Sequence, residues 1–212
     1  MTKYSIVVSS HNAEVLNNNL LKSPDIFNHD LHIKFGYTNV CKAYNEAINE
    51  CSENIIIFVH HDVLLPDTFF NDLELSLNKL NNTNWGVLGS AGIRINGIAS
   101  ANVTDRGFLF RTIESKPTLV NTMDELILVV RKSSFPILKF DENIINNHLF
   151  GTDICLQARK QGMTNYIVDI HCFHNSSLVT IPANYYETEK YIRKKWNCYL
   201  PIFTTISNIR KI

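Results

Sequence analysis

The sequence predicts an α/β protein with a mainly parallel sheet flanked by helices. Residues 55–59 read Ile-Ile-Ile-Phe-Val, an unbroken apolar run of the kind found in a strand buried on both faces. Runs like this alternate with stretches of helical spacing as far as about residue 92, the pattern of βαβ units. No internal repeat or low-complexity linker interrupts the chain, so one domain with a C-terminal extension is the simplest organisation.

The elements follow in order. Tyr4 to Ser9 predicts a first strand, closed by the polar turn Ser10-His11-Asn12. Leu31 to Phe35 predicts a short second strand ending at Gly36. From Asn39 the period changes: Val40, Ala43, Tyr44, Ala47, Ile48 and Cys51 fall on one helical face. The central strand comes next. Pro66 and Asp67 then open a helix that turns Phe69, Phe70, Leu73, Leu77 and Leu80 to the core. Trp85 to Gly89 predicts another strand, with glycines that allow close backbone approach.

The second half is less regular. Residues 93–122 suggest loops and a small hairpin near Phe108-Leu109-Phe110. Leu126 to Val130 predicts a strand, and a helix follows Gly151, with Thr152 or Asp153 as N-cap and Gly162 as stop. Tyr166 to Ile170 predicts a late strand ending in His171-Cys172-Phe173-His174, and beyond Pro182 a helix runs from Tyr185 to about Tyr199. These signals divide the chain into residues 1–180, the main domain, and 181–212, a helical extension packed on it.

Composition excludes several classes. Hydrophobic residues at 45% and charged residues at 19% describe an ordinary globular protein. Twenty basic and twenty acidic residues argue against nucleic acid as a partner, which usually demands basic excess. No apolar run reaches membrane-spanning length, and the chain opens on a strand instead of a signal peptide. A cytoplasmic location follows as the expectation. The five cysteines form no Cys-x-x-Cys pair, so buried reduced thiols are expected and not a zinc knuckle or disulfide framework.

Three polar clusters end apolar strands: Ser9-Ser10-His11, His60-His61-Asp62 and His171 to His174. Open α/β sheets bind ligands at the carboxyl ends of their strands, where the first two clusters converge. Asp62 can bind a hard cation, and an adjacent His can add a ligand or donate to a substrate. A His-Asp turn that only caps the following helix is the plain alternative. Asp153 likewise caps a helix more often than it moves a proton.

These pieces together resemble the small bacterial glycosyltransferases of the GT-A fold, related to family 2, in a branch whose central motif reads His-x-Asp. The resemblance runs from Tyr4 to about Ser177. It rests on four matches in order: Ile6-Val7-Val8-Ser9-Ser10-His11-Asn12, Lys42-Ala43-Tyr44-Asn45-Glu46-Ala47-Ile48, Phe58-Val59-His60-His61-Asp62-Val63, and Phe140-Asp141-Glu142 followed by Gly151 to Arg159. It implies a nucleotide-diphospho-sugar transferase with a Rossmann-like sheet. The donor is a nucleoside-diphosphate-sugar, UDP-sugar first, and the acceptor is a glycan or lipid-linked hydroxyl in bacterial capsule or lipopolysaccharide synthesis. Ser9, Ser10, His11, Asn45, His60 and His61 would line the nucleotide-sugar pocket. Asp62 and His174 would hold Mn²⁺ or Mg²⁺, and Asp153 would take the acceptor's proton in an inverting displacement.

Two departures stand out. His60 occupies the place of the family's first Asp, which changes the local charge by about one unit. Gly36-Tyr37-Thr38 stands where an acidic turn is usual. These motivate an alternative, a degenerate GT-A domain that binds a nucleotide-sugar or a protein partner without turnover. A metal-dependent phosphohydrolase fits less well, because it needs further ligands for a second metal. Glu125 either faces the acceptor or is a solvated strand-edge residue. The aromatic and basic residues from Tyr185 to Tyr199 suit a helix on the inner membrane face, or equally one packed on the core or on a second subunit.

Overall fold

A computed structural model describes residues 2–113, 115–135, 137–176, 181–182 and 184–211. Its opening half holds β1 (Ser5–Ser10), α1 (Ala13–Asn18), β2 (Asp30–Phe35), α2 (Val40–Glu50), β3 (Ile55–Val59), β4 (Val63–Leu64) and α3 (Phe69–Lys79). The middle is strand-rich: β5 (Trp85–Gly89), β6 (Ala91–Ile93), β7 (Ala99–Asp105), β8 (Phe108–Arg111), β9 (Thr118–Val120), β10 (Thr122–Met123) and β11 (Ile127–Arg131). Then come α4 (Phe150–Lys160), β12 (Thr164–Ile167), β13 (Cys172–His174), α5 (Tyr185–Lys195), β14 (Ile202–Phe203) and β15 (Asn208–Ile209).

The main sheet has seven strands in the order β2-β1-β3-β11-β5-β12-β9. Strands β1, β2 and β3 are parallel, and β12 runs parallel to β5. Strand β11 is antiparallel to both β3 and β5, and β9 is antiparallel to β12. The sheet is therefore mainly parallel, as the βαβ pattern predicts, with two reversed strands. Both faces are covered, which explains the unbroken apolar runs. Val7, Phe58, Leu128 and Val130 pack with Tyr44 of α2 and Ile154 of α4. Ile6, Val8, Ile57, Val59 and Val129 pack on the other face with Phe69 and Leu73 of α3. One-residue alternation along each strand divides the side chains between the two cores.

Local chemistry sets the helix positions. Asn39 caps α2 by accepting the Lys42 N–H at 3.0 Å, and Val40, Tyr44, Ala47 and Ile48 are buried on its inner face. Strand β5 approaches α4 closely, and a Cβ on Gly86 would stand 2.4 Å from Ala158 Cβ. Only glycine permits that contact.

The middle of the chain differs from expectation. Residues 93–122 hold strands β7 to β9 and part of β6 and β10, beyond the single expected hairpin. A second sheet orders β10-β6-β7-β13-β4, with β8 paired to β7. These strands are short and their exposure follows no strict alternation, so the period-2 signal that marks a strand is weak. The late strand divides at Val168, and its second part, β13, joins the second sheet. Helix α4 begins at Phe150 after Leu149, which has φ 68°, so neither Thr152 nor Asp153 is its N-cap. Helix α5 ends at Lys195. The expected domain boundary at residue 180 and the end of the resemblance at Ser177 lie outside the described residues.

Candidate active site

Four strands, β3, β4, β7 and β13, bring the central cluster together. Strand β3 ends at Val59, and the His60 N–H donates to Leu126 O at 3.0 Å. Asp62 precedes β4, whose Val63 pairs with His174 of β13. His174 in turn lies beside Asp105, the last residue of β7. The second sheet thus carries His174 and Asp105 to the carboxyl end of β3.

Asp62 is the centre of this arrangement. Its Oδ1 takes a hydrogen bond from His60 Nδ1, and its Oδ2 lies 3.5 Å from His174 Nε2. The other ring nitrogen of His174 bonds Asp105 Oδ1 at 2.8 Å. Burial alone would push the Asp62 carboxyl up, but hydrogen bonds from His174 and His60 outweigh it and hold the group well below the usual carboxylate range. For His174, burial favours the neutral ring, yet Asp62 and then Asp124 and Asp105 leave its pKa above the ordinary value.

His61 and the first strand complete the cluster. Ser10 Oγ and His61 Nδ1 are 2.8 Å apart, and the His11 and His61 rings lie 5.0 Å apart. Burial, with the nearby His60, pushes the His61 pKa down to about 4. His61 is therefore a neutral imidazole, the form that can bind a metal. Ligand atoms from His60, His61 and Asp62 lie within 4.8 Å of one another, so this triad can hold a metal ion. The donor set suits a divalent cation, and His174 with a carboxylate behind it has the support typical of a ligating histidine.

The remaining candidates divide. Ser9 lies on β1 beside the cluster's Ser10, and its backbone bonds the Tyr44 hydroxyl. Asn45 is not brought to the cluster. Its amide donates to Phe140 O at 2.8 Å and to Glu142 Oε1 at 2.9 Å, and its oxygen accepts the Phe140 N–H. These bonds tie α2 to the 140–142 segment.

Asp153 is 1% exposed. Oδ1 accepts Trp196 Nε1 at 2.6 Å and lies 2.7 Å from Lys195 Nζ, while Oδ2 accepts Gln157 Nε2 at 2.7 Å. Its first-turn position turns the side chain toward α5 instead of the open end of the sheet. The Asp153 carboxylate is thus enclosed by Trp196, Lys195 and Gln157.

Residues that the motifs did not single out also surround the cluster. Asp105 carried no sequence signal, since β7 has no clear period. His148 meets Tyr185 edge to face, with ring centroids 5.8 Å apart. Burial lowers its pKa, with Asp124 opposing and His60 adding to that shift. Glu125 is 9% exposed and accepts the Gly151 N–H at 2.9 Å, so it is not a solvated strand-edge residue. Helix α5 spends Tyr185 and Ile192 on the core beside α4, as does Trp196 just past its end, which removes them from any exposed aromatic face. No helix among the described residues is long and apolar enough to cross a membrane.

An α/β sheet whose central strand delivers a His-x-Asp turn to its carboxyl edge, with a second small sheet beside it, has the GT-A glycosyltransferase architecture. The chain belongs to the glycosyltransferase-like family, whose model matches residues 7–196. Its fold is similar to that of GalNAc-T7 crystallised with UDP, GalNAc and Mn²⁺, at a TM-score of 0.65 and 10% identity over 94% of this chain and 50% of that one. S. aureus TarS is similar at a TM-score of 0.59 and 12% identity, over 92% of this chain and 39% of that one. A shorter TarS chain, residues 1–349 with UDP-GlcNAc, matches at 0.55 and 13% identity, over 92% and 66% respectively. The chain therefore spans about half the length of GalNAc-T7. A relative from Fuscovulum blasticum, described as "ATP synthase subunits region ORF 6", is 25% identical over 166 residues, 74% of this chain and 66% of the relative.

Proposed function

We propose that this protein transfers a sugar from a nucleoside-diphosphate-sugar to a hydroxyl acceptor, with inversion at the anomeric carbon. The observation that carries this is Asp62, held between His60 and His174 at the carboxyl end of the central strand in a GT-A architecture. Two of the similar structures hold UDP or a UDP-sugar, which supports a uridine donor here.

The residues divide the work by charge. Asp62 and His174 would hold Mn²⁺ or Mg²⁺, with imidazole ligation favouring Mn²⁺. Such an ion neutralises the charge that develops on a departing diphosphate. His60 fixes one oxygen of Asp62, and Asp105 fixes the ring of His174. Ser10 engages Nδ1 of His61, so Nε2 is the nitrogen left for a ligand. Ser9, Ser10 and His11 then border the donor's nucleotide. A surface glycan or lipid-linked sugar of a bacterium is the acceptor class we propose, on the strength of the family resemblance.

A second reading is binding without turnover. The enclosure of Asp153 favours it, because the carboxylate first expected to act as base is occupied. Release of UDP from UDP-GlcNAc and UDP-GalNAc, followed with Mn²⁺ and with EDTA, decides between them. Metal-dependent release supports the transferase. Tight UDP binding with no release under any condition supports the second reading.

A further inference from the structure

Charge is unevenly placed along this chain. Residues 190–212 hold six basic residues and no acidic one, which leaves fourteen basic against twenty acidic residues in the rest of a chain that is neutral as a whole. Folding cancels only part of that excess. Lys195 is spent on Asp141 and Asp153, and Arg193 pairs with Glu189 one turn earlier. Lys190, Lys194 and Lys211 are exposed and form no ion pair among the described residues. They line one open groove with Arg193, Asn197 and Leu200, and no carboxylate stands among the described residues that line it.

The two sides of α5 therefore do different work. Tyr185, Thr188 and Ile192 are buried on the core side. Tyr186, Lys190 and Lys194, spaced four residues apart, form an outer stripe, and Tyr186 is 57% exposed. Residues at this spacing stand about 6 Å apart along a helix axis. The cations are strung along the stripe instead of converging on one point.

We propose that this basic groove docks the protein on the anionic phospholipid headgroups of a membrane surface. Like charges that line one groove repel each other, and a layer of lipid phosphates relieves that repulsion at each position along the stripe. A single free phosphate would call for converging cations. The Tyr186 phenol at one end suits the headgroup boundary, where its ring meets lipid and its hydroxyl meets water. Outside residues 190–212 the chain carries six more acidic than basic residues. That charge repels a nucleic acid, which wraps several faces, whereas a membrane meets one face only. The core already occupies the apolar side of α5, so the contact is electrostatic and the helix stays on the surface. None of these residues belongs to the Asp62 cluster, so docking and donor binding fail separately.

The test is flotation of the full chain with vesicles of phosphatidylcholine alone, or with about 30% phosphatidylglycerol added. Lys190→Gln/Lys194→Gln is compared with Lys3→Gln/Lys116→Gln, which removes the same charge from exposed positions elsewhere. We expect binding to the anionic vesicles only, weakened more than about tenfold in about 0.5 M NaCl. Each cation removed from the groove should cost about fivefold, so Lys190→Gln/Lys194→Gln loses about 25-fold at an unchanged melting temperature. The other double variant should lose less than about threefold. Equal binding to both kinds of vesicle, binding to neither, or an equal loss in both double variants overturns the proposal. Displacement from anionic vesicles by inorganic phosphate at constant ionic strength assigns the groove to free phosphate and also overturns it. Binding to single-stranded RNA that is lost in Lys190→Gln/Lys194→Gln, while vesicle binding persists, does the same.

Discussion

Asp105 accepts a hydrogen bond from His174 Nδ1 at 2.8 Å, while the opposite ring nitrogen lies 3.5 Å from Asp62 Oδ2. The imidazole is thereby aimed by one carboxylate at another. A histidine supported this way is stiff and more basic toward a metal. Removing the Asp105 charge should loosen the ring without removing a ligand. The prediction is that Asp105→Asn weakens Mn²⁺ binding by about 10–100-fold, read by calorimetry, with the fold unchanged by circular dichroism.

Lys195 sits between two acids, 2.6 Å from Asp141 Oδ2 and 2.7 Å from Asp153 Oδ1. Asp153 has almost no contact with solvent. Lys195→Met leaves that charge uncompensated and should cost about 3–5 kcal/mol of stability, measured by urea unfolding. Loss below 1 kcal/mol would mean that Asp153 is far better solvated than its burial implies.

Acid should weaken the same junction. Burial would raise the Asp141 carboxyl, but Lys195, Tyr191 and Asn143 together hold it well below its ordinary value. A depressed carboxyl contributes fully above its unfolded pKa, near about 4, and loses that contribution as pH falls further. The predicted melting temperature of the unaltered protein therefore drops below about pH 4, and Asp141→Asn flattens that part of the curve.

Two glycines give steric predictions. A methyl at Gly86 would meet Ala158 Cβ at 2.4 Å, so Gly86→Ala should destabilise by about 1–3 kcal/mol through forced separation of β5 and α4. At Gly151 a methyl would press on the Glu125 carboxylate and Met123 O. Gly151→Ala should therefore destabilise by about 1–3 kcal/mol as well, read by urea unfolding, and a loss below about 0.5 kcal/mol would mean that the start of α4 shifts freely to make room.

The sheet's parallel half was legible because its physics repeats in sequence. A strand covered on both faces must be apolar throughout, and Ile55 to Val59 met that condition beside the α2 periodicity. The Ser10, His60, His61, Asp62 and His174 cluster was legible too, because polar residues at the carboxyl ends of strands have few structural reasons to be there. Asp105 and the second sheet were not. Strands as short as β10 and β4 leave no period to detect, and a carboxylate at the end of one looks like any loop acid. The surroundings of Asp153 were not legible either. Its motif position suggested chemistry, but the direction of a helical side chain depends on which neighbour packs against it, and α5 decides that from more than thirty residues away.

The most direct test of the central claim is calorimetric titration of UDP into the protein and into Asp62→Ala, each with Mn²⁺ and with EDTA, with GDP, CMP and TDP as controls. The account predicts UDP binding to the unaltered protein that needs Mn²⁺ and is lost in Asp62→Ala. Binding that is equal in EDTA, or intact in Asp62→Ala, would contradict a metal-assisted donor site at the end of β3.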